Sequence, residues 1–223
     1  MDPSTLERQS TTDVRFELGA FGLTLALAWY YDWRAADLVW SLWLSSLCVG
    51  YLVMISQATH MPIQVLRGIR AEKRRFSWRQ ITLGIAALLA FNGFVLAFFT
   101  LHFGMFHYGH GFLLEGFFSP ASAYPSSGWG LPRFALSLLP QYYGMVLAST
   151  VMQRRLILKP EGLKRMDQPY RSVIKMHILI FVFAGLHALG ATNFLFYAAT
   201  LLAYFFPWKL LKKTPVSSGH ELK

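Results

Sequence analysis

Long apolar stretches separated by short polar segments dominate the pattern of this chain. A membrane-spanning helix needs about 20 apolar residues. Six stretches come near or exceed this length, and they cover residues 18–31, 36–57, 81–118, 131–152, 172–189 and 194–211. The pattern therefore predicts an all-α fold, a polytopic transmembrane helical bundle of about six spans.

The positions of the basic residues predict the orientation of these spans. Cytoplasmic loops of membrane proteins carry an excess of Lys and Arg. Of the 21 basic residues, all but Arg34 and Arg133 fall on the side that holds both termini and the loops 58–80 and 153–175. Both termini are therefore expected in the cytoplasm. The expected parts are a cytoplasmic segment 1–17, one transmembrane domain 18–211 and a cytoplasmic tail 212–223.

Composition supports this class of protein and excludes others. Hydrophobic residues make up 54% of the chain and charged residues 14%, against about 25% charged in soluble domains. A soluble globular domain and a disordered chain are both excluded. The net charge of +10 is explained by the basic loops, so we expect no nucleic-acid partner. Cys48 is the single cysteine, which excludes an internal disulfide.

Segment 63–79 is basic and is not expected to span the membrane. The sequence leaves two interpretations open for it. One is an interfacial amphipathic helix that places its basic face on anionic lipid, and the other is a solvated cytoplasmic loop.

Histidines in the apolar segments are the candidate functional residues, because ionisable side chains within a bilayer are costly and usually face the protein interior. The third stretch carries three histidines and a glutamate, and the fifth carries two more histidines. Neutral imidazole is a common metal ligand, so these side chains form the predicted metal-site set: His102, His107, His110, Glu115, His177 and His187.

Helix geometry decides which of these residues can act together. His107 and His110 are three residues apart and lie about 60° apart around a helix, so they can share one ion. His102 shares a broad face with His110 but is about 12 Å away along the axis. A complete zinc or copper site needs three or four ligands, so a further ligand must come from another helix.

Purely structural roles are also open to these polar residues. A membrane histidine can simply form a hydrogen bond between helices, and Glu115 can reach water near a helix end. Asp37, Ser41, Ser45 and Cys48 recur at helical spacing in the second stretch. Interhelical hydrogen bonding is the favoured role for that stripe.

Three short motifs resemble an uncharacterised bacterial family of multi-pass membrane proteins, domain of unknown function 6498. The motifs are His102-Phe103-Gly104 with His110-Gly111, Trp43-Leu44-Ser45-Ser46 leading to Gly50, and Pro169-Tyr170 followed by His177. The resemblance implies a location in the bacterial cytoplasmic (inner) membrane and site candidates His102, His110 and His177. It implies no activity.

Departures from the family pattern affect the same site. The family has a Glu-Asn pair where Ser45-Ser46 stand, and a Ser-His pair where Pro140-Gln141-Tyr142 stand. A shared polar site that used those groups would have lost two of them in this chain.

Three functions remain open at this stage. The first is an integral membrane protein that binds a transition metal (Zn, Cu or Fe) or haem, and whether it is an enzyme is left open. The second is a small-molecule, ion or proton-coupled transporter. The third is a non-catalytic membrane scaffold. The expected partners are the lipid bilayer and anionic lipids at segment 63–79, and a homo-oligomer is left open.

Overall fold

The computed structural model describes residues 19, 22–71, 77–120, 123–158, 168–190, 195–196, 198–199 and 202. This part of the chain is helical and contains no strand. The helices are α1 over 22–30, α2 at Ala35–Ala71, α3 at Trp78–Phe117, α4 at Leu131–Met152, α5 at Arg154–Leu158 and α6 at Gln168–Ala188, with a 3-10 turn at Gly128–Gly130 before α4.

Local signals explain where these helices begin and end. Asp32 adopts a positive φ of 50° in the turn between α1 and α2, a conformation in which Asp is enriched. Ser77 and Gln80 form a reciprocal capping box at the start of α3. Gly190, with φ of 74°, lies just past the end of α6, where a left-handed residue commonly terminates a helix.

α2 and α3 pack as a long antiparallel pair. Trp40 near the start of α2 contacts Phe118 just past the end of α3, and Ala58 of α2 contacts Asn92 of α3. α4 and α6 pack against α2. The core between these helices is rich in buried aromatic side chains, including Trp40, Trp43, Phe99, Phe103, Phe134, Tyr142 and Phe183.

Two of the described helices are long and apolar enough to cross a membrane: residues 35–69 of α2, and α3. None of the most apolar window of α3 is buried within the protein. α3 runs for 40 residues, about 60 Å, without a break at Gly104, Gly109 or Gly111. The predicted bounds 131–152 for α4 are confirmed.

Residues 63–71 of the basic segment are helical, because α2 continues past the predicted span 36–57 and through Pro62 to Ala71. A solvated loop is excluded for these residues. Residues 72–76 lie outside the described part. The N-terminal segment 1–17, the tail 212–223 and most of the sixth stretch, 194–211, also lie outside it.

Candidate functional site

Two tryptophans of α2 fix its position against α3. The indole N–H of Trp43 donates to the carbonyl oxygen of His107 at 3.0 Å, and that of Trp40 donates to the carbonyl oxygen of Phe118 at 2.8 Å. Both tryptophans are fully buried. Because each bond joins a side chain of α2 to the backbone of α3, together they hold the two helices in one register around His107.

His107 is fully buried between α2 and α3, at 0% exposure. Its Nδ1 lies 3.1 Å from the carbonyl oxygen of Phe103, and since a carbonyl can only accept, the proton is on Nδ1. Nε2 is then the acceptor, and the hydroxyl of Ser46 in α2 lies 3.4 Å from it. The ring packs against Phe103 and Trp43, with centroids 4.3 Å and 6.1 Å away.

His110 repeats this arrangement one turn further along α3. It is 8% exposed, its Nδ1 lies 2.9 Å from the carbonyl oxygen of Phe106, and its ring contacts Phe106. Its burial agrees with the expectation that ionisable side chains in these segments face the protein interior. In both histidines Nδ1 bonds to the helix backbone, so any metal ion would be ligated through Nε2.

His102 does not belong to this pair. Its side chain is exposed and stacks on Phe98 at a centroid distance of 5.5 Å, on the rim of a shallow groove along α3. His102 and His110 are about 80° apart around α3, yet they differ in burial. One is exposed and the other buried because α3 buries only the narrow stripe that faces α2.

The remaining predicted ligands lie at other depths or outside the described side chains. Glu115 is exposed, and so is His187, whose ring packs against Phe118 with centroids 5.2 Å apart. This contact brings the ends of α3 and α6 together. His107 lies eleven residues before Phe118, and His177 lies ten residues before His187. The backbones of His107 and His177 therefore lie at similar depth. The side chain of His177 is outside the described part.

The described side chains do not complete a metal site: within the ranges that the structure describes, no group of three or more His, Cys, Asp or Glu residues could hold an ion.

A loop residue packs on α3 beside the pair, on the side towards the end of the helix. The hydroxyl of Tyr124 donates to the carbonyl oxygen of Tyr108 at 2.6 Å, and its ring packs on Trp40 and Phe134. The ring lies so close to Gly111 that a Cβ there would collide with it. Burial, followed by the neighbouring Tyr108 and Glu115, raises the pKa of the Tyr124 phenol.

Helix-borne aromatic rings close the opposite side. The ring of Phe103 stacks on Phe99 with centroids 4.5 Å apart and leaves no room for a Cβ on Gly50. Tyr51 packs edge-on against both rings. All four residues belong to α2 or α3, so this side cannot open unless the helices separate.

A second polar group joins α2 to α4, and the sequence pattern did not predict it as a unit. One carboxylate oxygen of Asp37 accepts from the hydroxyl of Tyr142 at 2.9 Å and from the amide of Gln141 at 3.0 Å. The other accepts from the backbone N–H of Arg34 at 2.9 Å. Interhelical bonding, the favoured role, is confirmed for Asp37.

The rest of the stripe behaves differently. Ser41 bonds within its own helix to the carbonyl oxygen of Leu38. The hydroxyl of Ser45 is buried and has no hydrogen-bond partner among the described residues. Ser46, which the sequence marks only as a departure from the family pattern, is the residue that faces His107. Nothing in the apolar sequence around Ser46 marks it as a contact of a histidine in α3.

Comparisons with known proteins place the chain in a family but give no activity. No curated protein and no solved structure gives a significant match. The family model described as "Family of unknown function (DUF6498)" matches residues 5–206, and the chain therefore belongs to that family.

Proposed function

We propose that this chain is a multi-pass protein of the bacterial cytoplasmic membrane with about six spans, which binds a transition-metal ion at His107 and His110. One observation carries the metal proposal. Both histidines are buried, and each donates Nδ1–H to the backbone carbonyl four residues earlier. Metal-ligating histidines almost always donate their other ring N–H in this way, which fixes the tautomer and the ring orientation.

The surface of α3 supports the membrane part of the proposal. Trp78 at its start is 75% exposed, and Trp129 in the outer loop is 88% exposed. Gly128, next to Trp129, lies against Met105, 27 residues after Trp78. That length of helix is about 40 Å, which matches a bilayer with its interfacial regions. Exposed tryptophans at this separation are typical of the aromatic belts at both membrane surfaces.

Contacts at the two ends of α2 support the predicted orientation. Near its start, Trp40 meets the uncharged loop 119–130 through Tyr124. Further along, Gln57 donates to the carbonyl oxygen of Leu156 in α5. The second half of α2, with Arg67 and Arg70, and α5, with Arg154 and Arg155, therefore lie towards the same end, where anionic lipid headgroups are the proposed partners of segment 63–79.

The packing around His107 favours a small ion over haem. Its ring is enclosed by Phe103 and Trp43, which leaves no open face for a porphyrin. The proposed ligand atoms are Nε2 of His107 and of His110, with a third ligand supplied by another helix, and His177 is the proposed donor. A bound ion would act there as a Lewis acid or redox centre. The two imidazoles would hold the ion in place. The hydroxyl of Ser46 would first have to give up its hydrogen bond to Nε2 of His107.

A scaffold is the second candidate, and the Ser46–His107 contact favours it. In this function the histidines only join helices, as polar side chains commonly do in membranes.

Chelator-dependent thermal stability distinguishes the two functions. Purified wild type, His110→Ala and the matched control His102→Ala are unfolded with and without a chelator, alongside element analysis and an absorption spectrum. A chelator shift in wild type and His102→Ala that is lost in His110→Ala supports the metal site. If the chelator does not shift the unfolding temperature of any of the three proteins, the scaffold is favoured. A Soret band in the absorption spectrum indicates haem instead.

Topology is tested separately. A reporter fused after Lys223 is expected to be cytoplasmic, and one inserted in 119–130 is expected to be on the outer side. The opposite result would overturn the six-span arrangement.

A further inference from the structure

The two sides of the His107 site are closed by different kinds of structure. On the side towards residues 99–103, the seal consists of rings carried by α2 and α3 themselves: Phe99, Phe103 and Tyr51. On the side towards residues 111–118, the cover includes Tyr124, which is carried by the loop between α3 and α4.

Tyr124 contacts α3 one helical turn beyond His107, at Gly111. Its ring rests on Gly111, which follows His107 by one helical turn, and residues four apart are neighbours on a helix surface. The ring also stacks on Tyr108 with centroids 5.7 Å apart. Trp40, the other ring of this layer, lies against Trp43, which is the tryptophan that contacts His107.

The energetic cost of opening differs between the two sides. Displacing Phe103 requires α2 and α3 to separate, which breaks the bonds of Trp43 and Tyr51 to the backbone of α3. Displacing Tyr124 breaks one side-chain hydrogen bond and its ring contacts with Tyr108, Trp40 and Phe134, while the helices stay in place. Local opening with few broken contacts is the more frequent event.

We infer that water-soluble ligands reach His107 from the outer side of the membrane, past Tyr124, which acts as the cover of the site. This inference rests on the proposed function, which makes the His107–His110 pair the binding site of a membrane-spanning bundle. The class of ligand that fits this route is a small hydrated cation, since the route passes neutral phenol and indole groups and ends at imidazole nitrogen.

Cysteine accessibility tests the route without any metal. Cys48→Ala removes the single native cysteine, and Ser46→Cys then places one thiol where the hydroxyl faces His107. A membrane-impermeant charged methanethiosulfonate is applied to sealed vesicles of known orientation. We expect modification from the outer side to be faster than from the inner side, and Tyr124→Ala to raise the outer rate about tenfold with the inner rate unchanged.

Tyr124→Phe is the matched control, because it keeps the ring and removes only the hydroxyl, so its outer rate should lie between those of wild type and Tyr124→Ala. The inference is overturned if modification is faster from the inner side, or if no modification occurs from either side. It is also overturned if Tyr124→Ala leaves the outer rate unchanged. The comparison of the two sides needs only the native Tyr124, so it stands even where Tyr124→Ala fails to fold.

A second cysteine distinguishes failure of the access route from failure of the proposed orientation or of the proposed metal site. Ser126→Cys, on the exposed part of the loop, should react only from the outer side. If it reacts from the inner side, the six-span orientation has failed. If it reacts as expected while the chelator experiment shows no metal, the metal proposal has failed and the access route is unaffected.

Discussion

The side-chain amide of Asn92 in α3 donates to the backbone carbonyl oxygen of Ala58 in α2 at 2.8 Å. Pro62 explains why this carbonyl needs a partner. In a helix the carbonyl of residue 58 accepts from the N–H of residue 62, and proline has no N–H. Asn92 therefore replaces the missing helical donor from the neighbouring helix, which is one way in which apolar spans tolerate proline.

Asn92→Leu is expected to lower the free energy of unfolding by about 0.6–2 kcal/mol, the scale of interhelical polar contacts in membranes. The loss arises because the carbonyl of Ala58 is left without a donor. In a Pro62→Ala background the new N–H of residue 62 satisfies that carbonyl, so the same substitution should cost less. Thermal unfolding in detergent of the two single variants and the double variant measures this coupling.

Thr82→Val is the control for Asn92→Leu, because the Thr82 hydroxyl bonds only to the carbonyl oxygen of Trp78 in its own helix. It should change stability less than Asn92→Leu. If Asn92→Leu costs the same with and without Pro62, the Asn92 amide does not replace the donor that proline lacks.

Gly111 and Gly50 are among the helical glycines whose missing side chain lets a neighbouring residue pack directly on the helix backbone. Gly111→Ala and Gly50→Ala are expected to destabilise the protein by about 1–3 kcal/mol, because the new methyl groups collide with the rings of Tyr124 and Phe103. Gly109→Ala in α3 meets open space and should be neutral or gain up to about 1 kcal/mol from helix propensity. A loss at Gly109 equal to that at Gly111 would refute the packing argument.

Hydropathy and length predict most of the helices. α4 begins and ends where its apolar stretch does, and α6 covers nearly all of the predicted fifth span. α2 extends past the predicted span 36–57 to Ala71, because a cluster of charge does not by itself end a helix. Lys and Arg are good helix formers, so a helix can continue to Ala71 after the strongly apolar part has ended.

The site is predicted in part, for a geometrical reason. Spacing along one helix identifies His107 and His110 as neighbours, but it cannot give the rotation of a helix within a bundle, so it does not reveal that His102 is exposed while His110 is buried. Ser46, Tyr124 and the Asp37–Tyr142 pair depend on contacts between elements 16 to 105 residues apart. One other contact between helices does have a signal in the sequence: Pro62 leaves the carbonyl of residue 58 without its helical donor, so a donor from elsewhere is expected.

The Asp37–Tyr142 bond should couple α2 to α4. Tyr142→Phe is expected to cost about 1.5–3 kcal/mol, the scale of hydrogen bonds to charged groups, because it removes one donor to the carboxylate. Tyr143→Phe, at the next and more exposed position, is the control and should cost less. In a double-mutant cycle with Asp37→Ala the two losses should not add, and simple additivity would contradict the coupling.

The Tyr124 phenol should make the cover of the site depend on pH in the alkaline range. Burial, Tyr108 and Glu115 raise its pKa in the folded protein above the ordinary value of about 10. A raised pKa of an acid means that the protonated form is favoured by folding, so its contribution to stability is present below about pH 10 and is lost as the pH rises through the folded pKa. At neutral pH, wild type should exceed Tyr124→Phe by about 0.5–1.5 kcal/mol, the net value of one hydrogen bond. Thermal unfolding of both proteins from neutral pH upward should show this difference shrinking and then reversing, because the phenolate can no longer donate to the carbonyl of Tyr108 and lies near Glu115. A difference that stays constant through the alkaline range would show that the phenol of Tyr124 does not hold the loop.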